Sequence, residues 1–216
     1  MNVEAIHQPV KIHADSRELE GELIVPSGAV GVVLFAHGSG SSRHSPRNQF
    51  VARTLREAGL GTLLFDLLTR EEEAADRHTG HLRFDIDLLA RRLLAATEWL
   101  ESEGNFAIGY FGSSTGGGAA LVAAAELGER VGAVVSRGGR PDMAGAALPR
   151  VKSPTLLIVG GNDPQVIQLN QEAFELLRCK KELTIIPGAS HLFEEPGALE
   201  QVAQLAADWF NEHLTE

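Results

Sequence analysis

Apolar and polar residues alternate along the first 25 positions, and then the pattern changes. Segments 6–14 (IHQPVKIHA) and 17–25 (RELEGELIV) place apolar side chains near every second position. That is the period of a half-buried strand, and the polar ADS between the segments suits the turn of an antiparallel pair. After Pro26-Ser27-Gly28 interrupts the chain, the apolar residues come in short, almost continuous runs. These are GVVLFAHG (31–38), GLGTLLFDLL (59–68), NFAIGYFG (105–112), VGAVVSRGG (131–139), PTLLIVGG (154–161) and ELTIIPGA (182–189). Each is bounded by Gly, Pro or Asn, and none leaves a face for water. Strands covered on both faces of a parallel sheet read this way.

Between these runs the spacing shifts to that of helices. Segment 46–58 follows Ser45, has Pro46 in first position and stops at Gly59, the signature of a capped start and a glycine stop. Segment 84–103 repeats Phe84, Leu88, Leu89, Leu93 and Leu94 on one face. Segment 115–127 is small and alanine-rich, and 163–178 and 196–213 complete the set, the last with a stripe of Leu199, Val202, Leu205, Ala206, Trp209 and Phe210. Strand and helix in alternation predict a single α/β domain over 1–216, with right-handed crossovers and helices on both faces of the sheet. The longest connection, TREEEAADRHTGHLR (69–83), reads as a charged surface loop with room for a short helix at 71–76. Segment 140–153 leaves space for one helical turn, so the site has a minimal cap or none.

Composition narrows the class. At 216 residues the chain suits one core. A formal charge of -10 argues against a nucleic-acid partner. The one cysteine, Cys179, excludes an intrachain disulfide and gives a zinc-thiolate site too few ligands; no metal is expected. The N-terminus lacks a basic segment followed by an apolar core, and no run of 18 apolar residues occurs. The expectation is a cytoplasmic protein without membrane contact. Its oligomeric state is not legible.

The chemistry centres on GYFGSSTGGGAA (109–120). A serine hydroxyl is a weak nucleophile, so it must project from a sharp turn toward a base, with a backbone N–H aimed at the same carbonyl. A strand, then Gly-x-Ser-x-Gly, then a helix supplies that turn. The register selects Ser114, flanked at two residues on either side by Gly112 and Gly116; Ser113 takes the variable position. A serine nucleophile needs an imidazole, and the imidazole needs a carboxylate. In an open α/β sheet both come from strand ends. Asp163 follows the run at 154–161 and His191 the run at 182–189, in the order Ser, Asp, His. Asp163, ahead of Pro164, equally suits a helix N-cap. FAHGSGSSRHSP (35–46) suits the loop that provides a second oxyanion donor, assigned to the Ser39 N–H beside that of Thr115, with His37 bracing the loop. GSGSS lacks the Lys-Ser/Thr of a phosphate-cradling loop and the third glycine of a dinucleotide fingerprint, so no cofactor is expected.

On GVVLFAHGSGSSRHSPRN, GYFGSSTGG, VVSRGGRPDM, TLLIVGGNDPQV and IPGASHLFEEPG, the chain resembles the α/β-hydrolases, and within them the dienelactone hydrolase-like branch. The resemblance covers nearly the whole chain. It implies an eight-stranded, mostly parallel sheet whose second strand runs antiparallel, and a triad of Ser114, Asp163 and His191. Dienelactone hydrolases proper carry cysteine at the elbow. Serine at 114 points instead to a serine esterase acting on a small acyl substrate, an ester, lactone or thioester. Acyl transfer on the same triad, and a binding module that keeps the scaffold, are the alternatives. Arginines cluster near the expected site. Arg43, Arg137 and Arg140 are candidates to orient an anionic substrate, or to pair with carboxylates of segment 69–83.

Overall fold

The computed structural model describes residues 5–214. Strands β1 (Ile6–Ala14) and β2 (Arg17–Val25) form the expected hairpin, paired from Ile6 with Val25 to Ala14 with Arg17. Its turn places Asp15 at φ 54, a conformation aspartate tolerates better than most residues. The six apolar runs become β3 (Val32–Ala36), β4 (Gly61–Phe65), β5 (Ile108–Ser113), β6 (Ala133–Arg137), β7 (Thr155–Gly160) and β8 (Lys181–Ile186). Together they make one eight-stranded sheet in the order β1-β2-β4-β3-β5-β6-β7-β8. β2 pairs antiparallel with both β1 and β4, and every other pair is parallel. β2 alone therefore runs against the sheet, as the resemblance implies.

Every residue of β3 to β7 is buried, so alternate side chains feed two separate cores. On one face Val33, Phe35 and Phe111 pack with α1 (Pro46–Glu57) and α6 (Ala198–His213). On the other, Leu34, Leu63 and Tyr110 pack with α3 (Ile86–Glu103) and α4 (Thr115–Leu127); α5 (Pro164–Leu176) adds Ala173. The Tyr110 hydroxyl, deep in this layer, is satisfied by Thr97 at 2.5 Å, as a buried phenol requires. None of the described helices is long and apolar enough to cross a membrane.

Two stretches differ from the sequence reading. Most of segment 69–83 is a helix, α2 (Arg70–Thr79), closed by Gly80 at φ 63. Thr69 and Glu72 form a reciprocal capping box at its start. Its single buried side chain is Asp76, so no apolar stripe announces it. The other stretch, Pro141–Arg150, is a longer 3-10 segment than the expected turn, kinked at Gly145.

Asp76 ties α2 down. Its carboxylate accepts from the Leu82 and Arg83 amides at 2.7 and 3.2 Å and from the Arg83 Nε–H at 2.6 Å. Burial alone would raise its pKa, but the Arg83 guanidinium and the two amides outweigh it and hold the pKa at about 2. A depressed carboxylate pKa stabilises the fold above the unfolded value and loses that contribution as pH falls through the folded one. The melting temperature should therefore fall between about pH 4 and pH 2, and fall less steeply in Asp76→Asn. Calorimetry on both proteins across that window checks this; parallel curves would refute it.

Candidate active site

β5 ends at Ser113 and α4 begins at Thr115, leaving Ser114 alone between them at φ 51, ψ −123. A residue with a Cβ pays of order 1–3 kcal/mol for such a conformation, so the surroundings must hold it. The Ser114 N–H donates to the Arg137 carbonyl at 3.3 Å, and the Ser114 carbonyl accepts from Gly117 at 3.0 Å and Arg140 at 2.9 Å. The flanking glycines are steric necessities. A Cβ on Gly112 would lie 2.5 Å from the Gly116 carbonyl oxygen, and one on Gly116 would lie 2.0 Å from that of Ala36.

Asp163 and His191 meet. The His191 Nδ1 lies 2.7 Å from Asp163 Oδ2, and because a carboxylate only accepts, Nδ1 carries the proton and Nε2 is left basic. Asp163 Oδ1 accepts from the Val166 N–H at 3.5 Å, so this residue caps α5 and holds the imidazole with different oxygens. The loop carrying His191 is braced by Glu195, which accepts from the Ser190 amide at 3.0 Å, and by buried Phe193 at φ 56.

His191 and Ser114 line the same cavity of about 530 Å³, with Ser39, Arg47, Arg137 and Leu192. No hydrogen bond joins their side chains among the described residues. Hydrogen bonds of this kind are often long or unformed in the absence of substrate.

The loop after β3 lies against Ser114: a Cβ on Gly38 would sit 3.0 Å from that of Ser114. His37 anchors this loop from below. Its Nε2 accepts from the Leu67 N–H at 3.0 Å, which puts the ring proton on Nδ1, 3.0 Å from the Gly38 carbonyl. Burial lowers its pKa, favouring the neutral ring this pattern requires. Arg43 anchors the same loop from the side, through its N–H and guanidinium to Asp66 and through Nη2 to Glu20 at 2.7 Å. Among the described residues, no protein acceptor takes the Ser39 or Thr115 N–H.

The Gly38–Ser42 stretch also walls a second recess, of about 230 Å³. It lies under α2, between Thr115, Leu68, Leu89 and Arg77. Thr115 Oγ1 is buried there without a partner.

Of the three arginines expected around an anionic substrate, Arg137 lines the cavity that Ser114 and His191 share. Arg43 is engaged with Asp66 and Glu20 as described, and Arg140 forks onto Asp142 at 2.8 and 2.7 Å. Neither Arg137 nor Arg140 pairs with segment 69–83. Arg137 is 8% exposed, with Nε and Nη1 buried and without partners. Its guanidinium lies 5.7 Å from the centre of the Phe193 ring. Burial and the nearby Arg47 charge pull its pKa down to about 10, so it stays charged at neutral pH. Sequence reasoning missed Leu192 and Phe193; the only signal was two apolar residues directly after His191. No group of three or more His, Cys, Asp or Glu among the described residues is placed to hold a metal ion.

Comparison with known proteins identifies relatives of this chain. The sequence model of the dienelactone hydrolase family matches residues 19–215. The crystal structure of a dienelactone hydrolase from Anabaena variabilis is 60% identical, with a TM-score of 0.93 over 97% of this chain and 98% of its own. Est1E from Butyrivibrio proteoclasticus, 17% identical, shares the fold at a TM-score of 0.79 over 94% of this chain and 98% of its own. Two Mycobacterium tuberculosis proteins, provisionally named phosphoribosyl transferases, are 57% identical over 96% of this chain. The match spans only 46% of their length.

Proposed function

Because the chain belongs to the dienelactone hydrolase family, a family of hydrolases, we propose that it cleaves small carboxylic esters, lactones or thioesters through an acyl-enzyme on Ser114. The observation that carries this reading is the 2.7 Å contact of His191 with Asp163, which leaves a basic Nε2 on the cavity that Ser114 lines.

His191 takes the hydroxyl proton as Ser114 Oγ attacks the carbonyl carbon. The carbonyl oxygen gathers charge before the Ser39 and Thr115 N–H groups, each donor being worth roughly 3 kcal/mol at the transition state. As the tetrahedral species collapses, the bond to the leaving oxygen or sulfur breaks and His191 returns the proton to it. Water then attacks the acyl carbon and gives its proton to His191. A second collapse releases the acid and restores the hydroxyl.

The transferase name of the Mycobacterium tuberculosis relatives does not carry over. It belongs to proteins about twice as long, of which this chain matches 46%.

A fluorophosphonate probe tests the reading. Intact-mass and peptide analysis should find one adduct, on Ser114, and 4-nitrophenyl acetate should release a burst of one equivalent of 4-nitrophenol. Folded protein that takes no adduct and shows no burst would overturn it.

A further inference from the structure

We propose that the recess under α2 holds the acyl half of the substrate and that the Thr115 hydroxyl makes it selective for 2-hydroxyacyl esters. The inference deepens the acyl-enzyme reading and rests on it.

The direction follows from the proton. His191 must protonate the leaving atom, so the leaving group extends into the cavity that His191 lines. With the carbonyl oxygen set before the Ser39 and Thr115 amides, the acyl substituent turns away from the imidazole. On that far side lies the recess, which shares the Gly38–Ser42 wall with the larger cavity and is lined by Thr115 but not by His191. At about 230 Å³ it is smaller than an ordinary ligand pocket and suits an acyl chain of few atoms. Leu68 and Leu89 give it apolar walls. Its charged side chains balance in sign, Glu73 and Asp76 against Arg77 and Arg83, so the recess calls for a neutral acyl group.

The oxygen follows from Thr115. A threonine inside a helix commonly donates to the carbonyl four residues back, as Thr97 does to Leu93 at 2.9 Å. Thr115 opens α4, directly after the turn at Ser114, so no helical carbonyl stands behind it. The residue is 2% exposed, and its Oγ1 has no partner among the described residues. A buried hydroxyl left unpaired is costly to a fold and calls for an explanation. A substrate oxygen supplies one, and covalent geometry sets where that oxygen sits. In threonine the amide nitrogen and the hydroxyl oxygen are joined through two carbons. In a 2-hydroxyacyl group the carbonyl oxygen and the 2-oxygen are joined in the same way. The two pairs therefore match, amide against carbonyl oxygen and hydroxyl against hydroxyl. A plain hydrocarbon chain in the same place leaves Oγ1 unpaired, which is how a site turns away an analogue that lacks its partner.

The experiment compares esters in which a hydroxyl replaces a methyl group. Ethyl glycolate against ethyl propanoate reads the acyl half, and 2-hydroxyethyl acetate against propyl acetate reads the leaving half. Acid release is followed by pH-stat, and rates are normalised to hydroxide-catalysed hydrolysis, which removes the activating effect of the oxygen. Wild-type kcat/KM should favour glycolate over propanoate by about 10-fold and show no such preference in the leaving half. Thr115→Val, which keeps the amide and the branched shape, should bring the glycolate preference close to unity, and Thr115→Ser should keep most of it. The inference is overturned by a wild type with no preference for glycolate, by an equal or larger preference in the leaving half, or by a glycolate preference that survives in Thr115→Val. In each of those cases turnover of ethyl propanoate upholds the premise. Failure of all four esters to turn over removes the premise and the inference together. The wild-type comparison stands even if a variant fails to fold.

Discussion

Ser114→Ala should lower kcat for ester hydrolysis about 10⁵- to 10⁶-fold and leave the fold intact. The loss is this large because the change removes the attacking atom, leaving only the amide pair and substrate binding to act on water. Stability should move in the opposite direction from activity once the Cβ is removed as well. At φ 51, ψ −123 alanine keeps the backbone strain and glycine releases it. Ser114→Gly should therefore be more stable than Ser114→Ala by about 1 kcal/mol, net of glycine's greater freedom when unfolded. Steady-state kinetics and thermal melts on the three proteins check both parts. Alanine variants with more than about 1% of wild-type kcat, against the loss expected of a nucleophile, would mean that the attacking group lies elsewhere.

Asp163→Asn is the second large effect, about 10⁴-fold in kcat. An amide at this position can donate to His191 Nδ1, which moves the ring proton to Nε2 and removes the base. The structure adds a way to separate this from simple damage. Asp163 also caps α5 through the Val166 N–H, and asparagine caps about as well as aspartate. Asp163→Asn should thus melt close to the wild type, whereas Asp163→Ala, with equal loss of turnover, should lose about 1 kcal/mol of stability. If both variants kept substantial turnover while Asp163→Ala alone melted lower, Asp163 would be a cap and nothing more.

The strands were readable because each buried one is an unbroken apolar run between breakers, and the site residues because strand ends have fixed addresses in this kind of sheet. Ser114, Asp163 and His191 could be located by counting strands. The α2 helix escaped because its face toward the protein is polar. Its evidence lay in the Thr69–Glu72 spacing and Gly80, not in periodicity. The arginines show a different limit. Arg43 and Arg137 look alike in sequence, but Asp66 and Glu20, which neutralise Arg43, lie far off in the chain and reach it only through the sheet. That Arg137 meets no such partner is a property of three-dimensional placement, and no count of charges conveys it.

The backbone links between Ser114 and the end of β6 have a consequence for how such a protein can diversify. Nucleophile and guanidinium ride on one stitched unit, since Ser114 and Arg137 share a hydrogen bond and Arg140 returns another. The α2 helix over the 230 Å³ recess hangs instead on its own attachments, chiefly Glu72 with Arg92 and Asp76 with Arg83. Exchange of that helix, by drift in a lineage or by grafting in the laboratory, would reshape the recess while the unit that carries Ser114 and Arg137 is inherited unchanged.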